Sequence, residues 1–140
     1  MFGFEARLFG IPNADNPNLR FSWFYASLRC MKQYVIDELR PSDHKRLKQY
    51  LDENFVVSDL GGLYWVPLEP EILTACQAEH RKCQPHYFAL ELLPDRLACE
   101  LLVRTRNSIR CECIQYATDR QRNWLIDLID AIFEKLELKT

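Results

Sequence analysis

The 140-residue sequence is poor in glycine, methionine and histidine, with four, two and three of them. The only adjacent glycine pair, Gly61-Gly62, lacks the downstream Gly and Lys of a phosphate-binding loop and reads as a turn. No stretch approaches the roughly 18 apolar residues of a membrane-spanning helix, so no membrane partner is expected. No Cys-x-x-Cys pair is present, which removes the commonest zinc and redox spacing. Neither sign of charge dominates. Eighteen Lys and Arg against 20 Asp and Glu give a net charge of −2, without the bulk attraction on which non-specific nucleic-acid binders rely. Nor is there a secretory core, because Arg7 interrupts the first apolar run. The six cysteines are therefore expected to be reduced thiols of a cytoplasmic protein, not a disulfide framework.

What is abundant is apolar mass. Hydrophobic residues make up 48% of the chain, including eight Phe, six Tyr and three Trp, enough for one core. Residues 1–30 carry no sustained periodicity and are read as an N-terminal extension outside that core, with Met31 as the natural start of a single domain over 31–140. From there the elements alternate. A strand is predicted at about 32–38 and a helix from Pro41 to about Asn54. A strand over Leu63–Val66 and a helix from Pro70 to about Cys83 follow. Three strands at about 86–92, 96–104 and 109–116 form a meander, with Pro94-Asp95 as its first turn, so that Phe88 faces Leu101, Leu90 faces Cys99 and Leu92 faces Leu97. An odd-numbered loop near Arg106-Asn107 would put Ile109, Cys111 and Cys113 on the same core face. Thr118 and Gln121 then form a capping box before the stripe Trp124, Leu125, Leu128, Ile129, Ile132 and Leu136. The order β-α-β-α-β-β-β-α predicts an α+β fold, an antiparallel or mixed sheet of about five strands with helices packed mainly on one face.

The chemistry-bearing residues gather around the second helix. Cys76, His80 and Cys83 at i, i+4 and i+7 share one face, and His86 follows the turn at Gln84-Pro85. With core thiols Cys99, Cys111 and Cys113 approaching from the sheet, thiolate and imidazole make a donor set for zinc or iron. The plainer alternative is that these thiols pack as small hydrophobes and the protein needs no cofactor. No third residue completes a Cys83–His86 nucleophile pair, and Glu91, Glu100 and Glu112, interleaved with Arg96, Arg104 and Arg110, read as a solvated sheet face, so no catalytic set is complete.

Two surface features remain. Arg120 and Arg122 at the start of the last helix could contact an anion, with Asp119 competing, while Arg104, Arg106 and Arg110 form too small a patch to favour nucleic acid. On the outer face of the meander, Tyr87 opposite Leu102, together with Ile114 and Tyr116, makes an apolar patch suited to a second copy of the chain or another protein. The expected role is a non-catalytic interaction or regulatory domain, and the alternative a metal-binding or thiol-dependent protein.

Overall fold

A computed structural model describes residues 32–59 and 61–139, so the reading of 1–30 as an extension lies outside the described residues. The protein is α+β, as the order of elements predicts. Among the described residues, strands β1 (Gln33–Ile36), β2 (Val56–Val57), β3 (Leu63–Pro67), β4 (His86–Leu93), β5 (Arg96–Glu100), β6 (Leu102–Thr105) and β7 (Gln115–Tyr116) accompany three α-helices. These are α1 (Pro41–Asn54), α2 (Ala75–Glu79) and α3 (Asp119–Lys135). The sheet is antiparallel in order β1-β5-β4-β3-β2, with β6 continuing alongside β4 and β7 paired to β6. It has seven strands rather than about five. The short pair Val56-Val57 carries too little sequence signal to be read as a strand.

The inner face of the sheet is the alternation Tyr64, Val66, Phe88, Leu90, Leu92, Leu97, Cys99, Leu101 and Val103, all buried. Leu47 and Leu51 of α1 and Leu125, Ile129, Ile132 and Phe133 of α3 enter the same cluster. Pro41 opens α1 where a missing N–H costs nothing, and the Thr118–Gln121 capping box opens α3. Gly61 and Gly62 turn the chain into β3 with φ of +70° and +68°. A Cβ on Gly62 would meet the Leu92 carbonyl at 3.3 Å, so this turn requires glycine.

The β4–β5 register agrees with the predicted one at Leu90↔Cys99 and Leu92↔Leu97. Further along it changes. Tyr87 faces Arg104, not Leu102, because the chain breaks at Leu101, whose N–H donates to the Lys32 carbonyl and whose carbonyl accepts from Ala117. Those bonds pull Leu101 away from β4 and shift the pairing by two residues. The third meander strand is correspondingly short. Only Gln115 and Tyr116 pair with β6, and residues 106–114 form a loop in which Ile109 is 95% exposed instead of facing the core. The predicted second helix is likewise divided into a 3-10 turn at Pro70–Ile72, α2, and a 3-10 turn at Arg81–Cys83.

Candidate metal centre

Two chain segments build the centre. The first is α2 and the turn after it. Thr74 caps α2, its hydroxyl accepting from the Gln77 N–H at 3.2 Å while Gln77 Oε1 accepts from the Thr74 N–H at 3.1 Å. The helix stops after one turn at His80, whose backbone (φ −84°, ψ 67°) is not helical. Cys76 and His80 still lie one above the other, since the His80 N–H donates to the Cys76 carbonyl at 3.2 Å. Cys83 ends the 3-10 turn.

The second segment is the loop 106–114, stitched onto the first. Thr105 Oγ1 donates to the Cys83 carbonyl. Asn107 Nδ2 donates to the carbonyls of Lys82 (3.1 Å) and Gln84 (3.2 Å), and Gln77 Nε2 donates to the Cys113 carbonyl (3.2 Å). A turn closed by Ile114 N–H on the Cys111 carbonyl (3.0 Å) places Cys111 and Cys113 toward α2. These bonds, and not a strand, orient the two cysteines.

The result is a group of four. Ligand atoms of His80, Cys83, Cys111 and Cys113 all lie within 4.8 Å of one another, with Cys113 buried and the others half-buried. His80 Nδ1 is 3.0 Å from Cys111 Sγ, and Cys83 Sγ is 3.7 Å from Cys111 Sγ. A tetrahedral zinc with Zn–S of about 2.3 Å and Zn–N of about 2.0 Å requires S···S edges of about 3.8 Å and S···N edges of about 3.6 Å. The sulfur pair already has the first spacing, and the imidazole needs to move by only about half an ångström to take the second.

The thiols are electrostatically unequal. The Cys113 N–H and side chain, followed by His80 and Cys83, hydrogen-bond to Cys111 and hold its thiol below the ordinary value, whereas burial pushes Cys113 up. A cation entering among these donors would displace whatever protons the thiols still hold.

On the far side of the imidazole, Cys76 Sγ lies 3.9 Å from His80 Nε2, and Cys76, His80 and Glu112 form a second group with all ligand atoms within 4.8 Å. Burial and the negative charge of Glu112 raise the Cys76 thiol. Thus Cys76 and Cys83 fall in different groups that share His80, whereas His86 is in neither group. It starts β4 at 1% exposure, paired with Thr105, and neither ring nitrogen has a hydrogen-bond partner among the described residues. Burial, then the neighbouring His80 charge, lowers its pKa. Cys99 is a fully buried core thiol whose burial raises it strongly. All five described cysteines are free thiols.

The other predicted surface residues sit elsewhere. Arg120 is exposed and Arg122 pairs with Asp119 at 3.6 Å. Leu102 faces Tyr116, which is 45% exposed beneath Lys32, while Tyr87, with its ring edge-on to Trp65, and Ile114 are half-buried. Glu100 and Arg104 form a two-pronged ion pair at 2.7 and 2.9 Å, but Glu112 lies off the sheet, grouped with Cys76 and His80. No described helix is long and apolar enough to cross a membrane. No family model, curated protein or solved structure matches the chain.

Proposed function

We propose that this chain is a zinc-binding domain in which His80, Cys83, Cys111 and Cys113 hold one ion in a closed tetrahedral site. The observation that carries the reading is the convergence of one imidazole and three thiols, from segments about 30 residues apart, within 4.8 Å. Four protein ligands leave no open position for a substrate, so the ion's role is structural: it clamps loop 106–114 to the α2 turn. The three-sulfur, one-nitrogen set favours zinc over iron, whose cluster sites are usually built on four thiolates. Free thiols accord with a reducing, cytoplasmic setting. The clamped domain serves as a non-catalytic interaction module, with the surface around Tyr87, Leu102, Ile114 and Tyr116 as the place where a second copy or another protein docks.

Metal analysis of protein purified without added metal tests this. One zinc per chain is expected, and Cys111→Ser or Cys113→Ser should remove it. Protein that is folded, free of metal and unresponsive to added zinc would end the reading. A second reading, thiol chemistry at Cys111, rests on the 3.0 Å contact with His80. It expects fast alkylation of Cys111 by iodoacetamide that zinc does not suppress. Light scattering of the wild type and of Leu102→Glu tests the docking face. A wild-type monomer, or a dimer indifferent to the substitution, would remove that face as a self-association surface.

A further inference from the structure

We infer that Cys76, His80 and Glu112 form a second, weaker zinc seat that shares the His80 imidazole with the first. The inference rests on the closed site proposed above. The two nitrogens of one imidazole point away from each other and cannot serve the same ion. Here each faces its own donors: Nδ1 the Cys111 sulfur at 3.0 Å, Nε2 the Cys76 sulfur at 3.9 Å. Glu112 completes the outer group, with every ligand atom within 4.8 Å of the others. Thiolate, imidazole and carboxylate bonds of about 2.0–2.3 Å to zinc place ligand atoms about 3.3–3.6 Å apart, so the group must contract by up to about 1.5 Å. Glu112 is exposed and can swing; Cys76 and His80 are already held in register by the last turn of α2.

The two seats differ in kind. Cys83, Cys111 and Cys113 fill every remaining position of the inner ion, whereas the outer ion has three protein ligands and a fourth position open to water. Filling the outer seat releases the Cys76 thiol proton and the His80 Nε2 proton to solvent, and no electrons move. The resulting imidazolate is shared by two cations, which makes the outer ion the weaker-held. Glu112 lies between two inner ligands in the run Cys111-Glu112-Cys113, so the inner ion also fixes the backbone that carries Glu112. The seats therefore fill in order, inner first. A donor set of this kind would otherwise serve the inner ion by accepting the Nε2–H hydrogen bond and fixing the ring.

Native mass spectrometry of the full chain distinguishes these arrangements. After dialysis against zinc-free buffer the wild type should carry one zinc, and in several-fold excess zinc it should carry two. Cys76→Ser and Glu112→Gln should each hold one under both conditions, and that retained ion shows that the variant has folded. A wild type that never exceeds one, or a second ion that persists in both variants, overturns the outer seat and leaves the inner one standing. A wild type with no zinc under either condition overturns both.

Discussion

Single residues show how much of this protein's chemistry depends on burial instead of type. His86 looks in sequence like a partner for the cysteines, yet it is a buried core residue whose ring nitrogens have no hydrogen-bond partner among the described residues. An unfolded histidine takes up a proton near pH 6.5. The folded chain resists it, because burial lowers the His86 pKa. The unfolded state then binds more protons, and stability falls as the pH drops below about 6.5. In metal-free protein His86→Phe should raise stability by about 1 kcal/mol at neutral pH and reduce the loss of melting temperature between pH 7.5 and 5.5. An unchanged pH dependence would show that His86 finds a proton acceptor. Trp124 tells a related story. It stacks on Phe88 at 6.2 Å but stays half-buried, so Trp124→Ala should cost about 3 kcal/mol in denaturant melts, the low end for large aromatic truncations.

At the scale of elements, two capping boxes meet inside the protein. Gln77 and Gln121 each close the box of their own helix, both are fully buried, and Gln121 Nε2 donates to Gln77 Oε1 at 2.8 Å and to the Ile72 carbonyl at 2.9 Å. Gln77 passes the connection on to the Cys113 carbonyl. Gln77→Leu should cost about 1–3 kcal/mol by stranding buried partners, and it should weaken zinc affinity as well, measured by chelator competition. A loss of stability with unchanged affinity would uncouple the cap from the metal. A second junction ties α1 to α3: Asp43 accepts from Arg46 at 2.9 Å and Arg40 at 3.0 Å, and Arg46 also donates to the Leu136 carbonyl at 2.8 Å, at the end of α3. The Arg46 hydrogen bond, then that of Arg40, hold the Asp43 carboxyl below the usual range, so its contribution is present above about pH 4 and lost as the pH falls below it. Asp43→Asn should lower the melting temperature at pH 7, and the difference from the wild type should narrow as the pH falls below about 4. The first and last helices, the Thr118–Gln121 box and the Leu90↔Cys99 register were legible because local pattern determines them. The metal loop was not. Cys111 and Cys113 alternate as a strand would, and only remote bonds from Gln77, Asn107 and Thr105 turn them toward α2. Cys76, His80 and Cys83 were legible by spacing, although the helix assumed to carry them is broken at His80.

For the whole molecule, the question is whether the proposed zinc would make the fold or finish it. The core cluster joins the inner sheet face to α1 and α3, and among the described cysteines it includes Cys99, which is in neither ligand group. Small zinc domains that unfold without metal lack such a core. Here the proposed ion would span two segments, the α2 turn and loop 106–114, so its removal should release a local unit rather than the global one. Melts in excess EDTA should therefore remain cooperative, at a lower midpoint, with the far-ultraviolet spectrum largely kept. Hydrogen exchange should rise in 106–114 and 80–84 and stay slow in β4, β5 and α3. Because the proposed ion would bind the native state, the midpoint should climb with free zinc in the manner of any native-state ligand. A non-cooperative melt in EDTA would mean that the clamp is part of the folding unit. A midpoint indifferent to both EDTA and zinc would mean that there is no clamp.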